Sequence, residues 1–211
     1  MPRAPICSLR YENRLRSLGF AAPAGVDEAG RGCIFGPVCA AAVILKYPAR
    51  LEGIRDSKLV PEDERPALAE QVRAQSVAWS VAFASVEEIE RINILQASRL
   101  AMKRAVEALS ARPDYLLIDF LRLDVDLPQE GLVKGDAKSK SIAAASILAK
   151  TSRDDVMREL DRQYPQYGLA SNKGYGTPDH LAALRAHGAT PWHRASFAPV
   201  RAVVQPGFFA D

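Results

Sequence analysis

The chain has 211 residues, of which 48% are hydrophobic and 25% are charged. These proportions are ordinary for a folded globular domain and exclude disordered and collagen-like chains. The formal net charge of +3 permits a polyanionic partner without demanding one. Three cysteines without C-x-x-C spacing argue against both a disulfide framework and a zinc site, so we expect a reducing, cytoplasmic location.

No segment predicts export or membrane insertion. The first twenty residues carry four arginines and no continuous apolar run of the kind found in signal peptides. The most apolar stretch, residues 33–45, is too short to cross a bilayer and contains Gly36 and Pro37. Since no repeat or long polar linker divides the chain, we predict one domain over residues 1–211, acting as a monomer without a membrane partner.

The first half of the chain predicts strands and one capped helix. Ser85 with Glu88 three residues later has the capping-box spacing that begins a helix, and Asn93 is placed to kink it. The run at 115–118 is almost entirely apolar, which predicts a central strand. Short apolar, β-branched runs predict strands at residues 25–26, 38–45, 77–84 and 115–118.

The second half predicts helices. Residues 138–164 form the longest helical segment, with an alanine-rich stretch and no proline or glycine. Thr177 at an N-cap, Pro178 at the first helical position and Gly188 at the stop bound a further helix of about ten residues. Strands followed by strand–helix alternation predict the α/β class, with a mixed sheet layered by helices.

Two adjacent carboxylates stand out near the N-terminus. The segment Gly25-Val-Asp-Glu-Ala-Gly-Arg-Gly32 places Asp27 and Glu28 directly after apolar residues. Neighbouring side chains of a strand point to opposite faces, so both serve one site only if the strand ends or twists there. The glycines allow this, and they let backbone amides approach a ligand, while Arg31 adds a fixed charge. For such a pair taken alone, the alternative is a solvated turn.

Two later aspartates extend this set. Asp119 closes the run Tyr115-Leu-Leu-Ile-Asp, where an unpaired buried charge would be costly. A metal ion or a place at the rim of the sheet explains it, as does a cap or loop role. Asp136 precedes the long helix, where an N-cap is the simpler role.

Four carboxylates from separate segments suit two Mg²⁺ or Mn²⁺ ions, which take oxygen ligands and share phosphate oxygens. Such a pair supports phosphoryl transfer without a protein nucleophile. The histidines lack the spacing of a zinc-protease motif, so we expect surface or capping positions for His180, His187 and His193.

Six short motifs, in order from about Gly25 to Val200, resemble the ribonuclease HII family. Six motifs in family order are not expected by chance. They are Asp27-Glu-Ala-Gly-Arg-Gly32, Asp56-Ser-Lys-Leu59, Lys134-Gly-Asp-Ala-Lys138, Ala143-Ala-Ala-Ser-Ile-Leu-Ala-Lys150, Lys173-Gly-Tyr-Gly-Thr177 and His193-Arg-Ala-Ser-Phe197.

This resemblance implies a ribonuclease H-like fold: a central mixed sheet, flanking helices and a helical C-terminal extension, with residues 24–200 as the core and terminal extensions at 1–23 and 201–211. It also implies residue roles. Family carboxylates that bind metal and catalyse correspond to Asp27, Glu28, Asp119 and Asp136. Substrate-binding positions correspond to the Gly30, Arg31 and Gly32 loop at the ribose 2′-hydroxyl, to Tyr175 at the RNA–DNA junction and to Lys58 on the backbone. Without the family, Tyr175 would be read as a core aromatic and Lys58 as a solvated lysine.

Three places depart from the family pattern: Phe120 where glycine is usual, Asn172 where histidine is common, and Cys33-Ile-Phe35 in place of small and proline residues. Phe120 would follow Asp119 in the strand. We therefore expect its side chain to point to the opposite face and leave the metal site open.

The activity implied is an endonuclease that cuts the RNA strand of RNA–DNA hybrids and cuts 5′ to single ribonucleotides in duplex DNA, with two Mg²⁺ or Mn²⁺ ions. One alternative is the ribonuclease HIII type, which prefers runs of RNA and which Phe35-Gly-Pro37 resembles. Arg31 between glycines and the short segment before Gly25 disfavour it. A second alternative, a non-catalytic hybrid-binding module, is disfavoured because all four carboxylates are kept. The tail Gln205-Pro-Gly-Phe-Phe209 weakly resembles a sliding-clamp-binding peptide, and a tail packed on the core is the alternative.

Overall fold

The computed structural model describes residues 7–51, 53–54 and 60–205. Five strands form one mixed sheet in the order β3-β2-β1-β4-β5. Strands β1, β2 and β3 pair antiparallel, whereas β1, β4 and β5 run parallel. The strands are β1 (Pro23–Ala29), β2 (Val38–Leu45), β3 (Ser76–Ala84), β4 (Tyr115–Asp119) and β5 (Gln129–Leu132).

Seven α-helices lie within the described residues. Two short 3₁₀ helices, Gly135–Ala137 and Pro165–Tyr167, precede and follow the longest of them. The α-helices are α1 (Arg10–Ser17), α2 (Arg65–Ala74), α3 (Val86–Glu107), α4 (Lys140–Gln163), α5 (Leu169–Asn172), α6 (Pro178–His187) and α7 (Ala198–Val204). None of these helices is long and apolar enough to cross a bilayer.

The sheet is buried on both faces. Alternate residues of β1 and β2 pack on α3 through one apolar cluster and on α2 and α4 through another. Helix α4 crosses β1 at Gly25, where a Cβ would lie 2.1 Å from the Ser141 carbonyl carbon. This close approach lets the middle of α4 reach the carboxyl end of β1.

The C-terminal helices form a separate layer beside the sheet. Phe35 packs with Met157, Leu160, Tyr167 and Leu169, so this departure from the family pattern supplies core. Ile34 packs with Leu184 and Val200 in the same way. The loop after β1 is therefore held from behind by the helical extension.

The predicted α/β class and the ribonuclease H-like architecture are confirmed. All four predicted strands are present, the Ser85–Glu88 capping box is formed, and Asn93 has a non-helical φ of 66° that kinks α3. Helix α4 begins two residues later than predicted, because Ser139 accepts from the Ile142 amide as its N-cap. The sequence patterns did not predict β5 or the short helices α1, α2, α5 and α7.

Candidate active site

The carboxylates of β1 and β4 meet because of the strand register. Parallel pairing runs from Pro23↔Tyr115 to Val26↔Ile118, so Asp27 and Asp119 follow neighbouring partners at the carboxyl ends of the two strands. Beyond that pair, β1 continues through Glu28 and is paired with β2. The strand thus runs past both carboxylates instead of ending at them.

Both members of the adjacent pair nevertheless line one cavity of about 200 Å³. Asp27 is only 4% exposed, and its carboxylate accepts a hydrogen bond from the Glu28 amide at 2.7 Å. The solvated-turn alternative is therefore wrong. The cavity is lined by Asp27, Glu28, Ala29, Gly30, Arg31, Gly32, Asp119, Ser146, Lys150 and Tyr175.

Asp136 lies behind this cavity and is not among its lining residues. It is buried in the 3₁₀ helix that follows β5, and one of its oxygens accepts from the Ala137 amide at 2.9 Å. The preceding Gly135 amide donates to Asp119 at 2.6 Å, which ties the two acidic segments together. Ser139, not Asp136, caps α4, so the N-cap alternative for Asp136 is wrong.

Burial, and after it mutual repulsion, raises the pKa values of Asp27 and Glu28. Burial raises the pKa of Asp27 well above its ordinary value, and the charges of Glu28 and Asp119 raise it further. Burial also raises the pKa of Glu28 to about 7, opposed by the Arg31 guanidinium 3.6 Å from its carboxylate. Nearby positive charge therefore does not offset the burial of Asp27 and Glu28.

The donor chemistry of this group fits a divalent cation. Buried Glu28 Oε2 has no hydrogen-bond partner, and the donors are all hard oxygens. Within the described ranges, however, no three His, Cys, Asp or Glu side chains are already gathered tightly enough to hold an ion. Asp27, Glu28 and Asp119 would have to rotate towards a common point.

Two buried arginines hold the loop after β1 from beneath. Arg153 donates to the carbonyls of Phe35 and Pro37, at 2.9 and 3.1 Å. Arg194 donates to the carbonyls of Arg31 and Gly36, at 3.2 and 2.9 Å. With a positive φ of 91°, Gly30 lies directly on Arg153, since a Cβ there would meet the guanidinium nitrogen Nε at 1.9 Å.

Tyr175 faces the carboxylates from a second loop. Its side chain is 44% exposed and lines the cavity, so the core-aromatic alternative is wrong. Asn172 orders this loop, because its side chain accepts from the Gly174 amide at 2.8 Å and donates to the Tyr167 carbonyl at 2.6 Å. The second departure from the family pattern therefore has a structural role.

Several other expectations meet a different outcome. His187 is exposed, but His180 and His193 are 0% and 3% exposed, so the surface assignment was wrong for both. Phe120 lies outside β4, with a φ of 60° and 61% of its side chain exposed. Strand alternation therefore does not apply to it, although it does stay out of the cavity lining. Lys58 and its motif Asp56–Leu59 lie outside the described residues.

The sequence patterns missed two cavity residues on α4. Ser146 and Lys150 are four apart, so they share one helix face, and both line the cavity. Ser146 hydrogen-bonds to Asp27. Lys150 is ion-paired with Asp154 and places its charge near the carboxylates. Their spacing within an otherwise apolar run was the signal available in the sequence.

The sequence is similar to known proteins over most of its length. A sequence model of the family described as Ribonuclease HII matches residues 24–200. Ribonuclease HII of Desulfitobacterium hafniense is 55% identical over 194 residues, covering 92% of this chain and 75% of the relative. That of Solibacter usitatus is 51% identical over 196 residues, covering 93% of this chain and 86% of the relative.

Solved structures share the fold at lower identity. Ribonuclease H2 from Pyrococcus horikoshii matches with a TM-score of 0.75 and 24% identity, over 87% of this chain and 97% of that one. The PCNA:RNase HII complex from Archaeoglobus fulgidus matches with a TM-score of 0.70 and 25% identity, over 84% of this chain and 95% of that one. Bst-RNase HIII in complex with Mn²⁺ matches with a TM-score of 0.64 and 20% identity, over 90% of this chain and 71% of that one. With the family matched over most of its length, the chain belongs to the ribonuclease HII family of endoribonucleases.

Proposed function

We propose that this enzyme hydrolyses the RNA strand of RNA–DNA hybrids and cuts on the 5′ side of single ribonucleotides in duplex DNA, leaving 3′-hydroxyl and 5′-phosphate ends. The observation that carries the proposal is the shared cavity, in which Asp27, Glu28 and Asp119 face Tyr175 and the Gly30–Gly32 loop. The carboxylates then form the hydrolytic side of the cavity. Tyr175 and the Gly30–Gly32 loop form the side that recognises the sugar, and one phosphodiester lies between them.

The carboxylates supply the hydrolytic half. Asp27, Glu28, Asp119 and Asp136 would hold two divalent ions, Mg²⁺ or Mn²⁺, which when bound polarise the attacking water and neutralise the leaving oxygen. The support is the uncompensated negative charge of the cavity, the unpartnered Glu28 oxygen and the presence of Mn²⁺ in the Bst-RNase HIII relative. Lys150, at the edge of the same cavity, is placed to contact a phosphate.

The opposite wall supplies recognition of the ribose. Bases do not report the sugar, so only the 2′-hydroxyl distinguishes a ribonucleotide. The carbonyls of Arg31, Phe35 and Gly36 are bonded to buried arginines. That arrangement holds the Gly30–Gly32 backbone ready for the 2′-hydroxyl. Tyr175, exposed on the facing loop, packs its ring against the adjoining sugar.

The test uses matched duplexes containing zero, one or four ribonucleotides, cut by wild type, Tyr175→Ala, Tyr175→Phe and Arg31→Ala. Losing a ring that stacks on nucleic acid costs about 1–3 kcal/mol, roughly five- to a hundredfold in rate. We expect Tyr175→Ala to lose most on the single ribonucleotide, Tyr175→Phe to retain activity and Arg31→Ala to discriminate less well. An unchanged substrate profile in both alanine variants would remove these residues from recognition.

The same assay separates the alternatives. A ribonuclease HIII-type enzyme would cut the four-ribonucleotide duplex and leave the single site intact. A hybrid-binding module would bind both and cut neither, even with added Mn²⁺. Relatives at 51–55% identity are named Ribonuclease HII, which favours cutting at the single site.

A sliding clamp is the second partner that we propose. The Archaeoglobus relative is found in a complex with PCNA, and the last residues of this chain include Gln205-Pro-Gly-Phe-Phe209. Residues 206–211 lie outside the described part of the chain. Clamp titration of the full chain and of a chain ending at Gln205 tests this partner; equal affinity would exclude the tail.

A further inference from the structure

Two buried histidines have no role in the chemistry proposed above. His180 lies near the start of α6, and His193 lies in the loop before α7. Their rings pack around Phe35 and Tyr167, with His193 at 4.7 Å and His180 at 5.9 Å from the Phe35 ring centre. Burying two imidazoles together costs free energy unless their nitrogens are paired, so their hydrogen bonds define what they do.

The hydrogen bonds fix the tautomer of both rings. The Thr190 amide donates to His193 Nδ1 at 3.0 Å, so that nitrogen is an acceptor and the proton is on Nε2. His193 Nε2 lies 3.3 Å from His180 Nε2, which must then accept. His180 therefore carries its proton on Nδ1, and Nδ1 donates to the Tyr175 carbonyl at 2.9 Å. One directional chain runs from Thr190 through both histidines to Tyr175.

Both rings are neutral in this arrangement. Burial, and to a lesser degree the neighbouring His180, lowers the pKa of His193 to about 4. Burial also lowers the pKa of His180, against the opposing effect of the Tyr175 carbonyl. A neutral pair can donate in one direction. A protonated His180 would set two N–H groups against each other between the rings, and a protonated His193 would set its Nδ1–H against the Thr190 amide.

The hydrogen-bond chain ends at Tyr175, the residue that is proposed to contact the RNA–DNA junction. The Tyr175 carbonyl also accepts from the Thr177 amide at 2.8 Å, and its amide donates to Asn172 at 3.0 Å. The two preceding residues have positive φ values, 51° for Lys173 and 79° for Gly174. In such a loop, the direction of the Tyr175 peptide decides where its half-exposed ring points.

We propose that His180 and His193 are positioning residues, which aim the Tyr175 ring at the substrate by fixing its backbone carbonyl. The proposal deepens the proposed function and rests on the role of Tyr175 given there. Neither histidine lines the cavity, so both act through Tyr175. The C-terminal extension thereby contributes to discrimination of the sugar.

Two substitutions at one position separate positioning from packing. In His180→Asn, the side-chain amide takes the place of Nδ1 and can still donate to the Tyr175 carbonyl. In His180→Gln, the amide takes the place of Nε2 and keeps the contact with His193 but not the one with Tyr175. His187→Asn, an exposed histidine at the end of the same helix, is the control.

The measured quantity is kcat and KM for cutting at one embedded ribonucleotide, relative to cutting in a run of four. Loss of one hydrogen bond predicts a roughly two- to tenfold fall in the relative kcat for His180→Gln, with KM unchanged. His180→Asn should keep the wild-type ratio, although its shorter side chain fills the site less well. Equal ratios in the two variants, or a greater loss in His180→Asn, would overturn the proposal.

Two further measurements keep the outcome readable. Imidazole ¹⁵N shifts of the wild type should show a protonated Nδ1 in His180 and an unprotonated Nδ1 in His193; the reverse overturns the proposal even if the variants do not fold. Measuring Tyr175→Ala in the same assay distinguishes failure of the proposed function from failure of the histidine proposal. If it leaves the profile unchanged, the proposed function fails at Tyr175; if it changes the profile and His180→Gln does not, only the histidine proposal fails.

Discussion

The two walls of the cavity are built in opposite ways. On the sheet side, Asp27, Glu28 and Asp119 line one cavity, repel each other and leave one carboxylate oxygen without a partner. On the loop side, Arg153, Arg194 and His180 donate hydrogen bonds to backbone carbonyls of the loop after β1 and of the loop that carries Tyr175. The first wall lacks charge compensation, whereas the second has its backbone bonded in several places.

This difference matches the different tasks that we propose for the walls. A wall that must hold cations and a reacting phosphate keeps negative charge available, at a cost in stability. A wall that must recognise one hydroxyl needs a fixed backbone, because a displacement of about 1 Å can cost a hundredfold in rate. Substitutions on the two sides should therefore affect activity and stability in different proportions.

The largest effect is expected from Asp27→Asn and Asp119→Asn. Charge stabilisation by bound cations contributes several kcal/mol to the transition state, so cleavage in Mg²⁺ or Mn²⁺ should fall by about a thousandfold or more. Each asparagine can still accept the backbone bond from the Glu28 or Gly135 amide. Without added metal, the melting temperature should stay level or rise, because a repelling charge is gone.

Single-turnover cleavage and thermal melting with and without chelator measure both effects. Asp124→Asn, at an exposed position, is the matched control and should change neither. Wild-type cleavage that persists in excess chelator would contradict cation-dependent catalysis. A clear loss of melting temperature in metal-free buffer would contradict the repulsion described for this wall.

The sheet wall was largely predictable from the sequence. Asp27 and Glu28 follow apolar strand residues, and Asp119 ends an apolar run, so the strand patterns indicated each position and the family resemblance grouped them in one site. What the pattern could not give was their burial within a single cavity, since alternation along a strand predicts opposite faces. That outcome depends on the close packing of α4 at Gly25, a tertiary contact.

The loop wall could not be predicted from local patterns. Arg153 and Arg194 are charged residues that a sequence places on the surface, and they are buried only because distant carbonyls converge on them. His180 and His193 are buried because their ring nitrogens pair with each other, with the Tyr175 carbonyl and with Thr190. Phe120 was also placed wrongly, because strand alternation was extended one residue past Asp119, where the chain turns to a positive φ.

A smaller effect is expected from the lysines of the sequence motifs. Lys134 is exposed and adjoins Gly135, which bonds to Asp119, whereas Lys173 is buried and ion-paired with Glu62. The Lys173 ammonium is therefore engaged by Glu62, so Lys134 is the motif lysine tested for a phosphate contact. Lys134→Gln should weaken hybrid binding and lower the salt slope of log K by about 0.9, the value for one phosphate contact.

Titration of binding between low and physiological salt measures this slope. Lys46→Gln is the control, because Lys46 follows the far end of β2 and donates to the Ala74 carbonyl at 2.8 Å. A slope equal to that of the wild type in Lys134→Gln would place this lysine outside the phosphate path. A salt-independent affinity of the wild type would contradict phosphate-driven binding altogether.

The smallest effect concerns stability of the loop wall in acid. The folded pKa of His193 is lowered to about 4, below the ordinary value near 6.5, so the unfolded chain takes up the proton first as pH falls. Stability from this group is complete above about pH 6.5 and is lost between about 6.5 and 4. In His193→Gln, which cannot be protonated, the decline of melting temperature across that window should be shallower than in the wild type. The two sheet-wall carboxylates with raised pKa values act in the opposite direction over part of this range, so the informative quantity is the difference between the two melting curves. A difference that stays constant from pH 7 to 4 would show that His193 is not held neutral by burial.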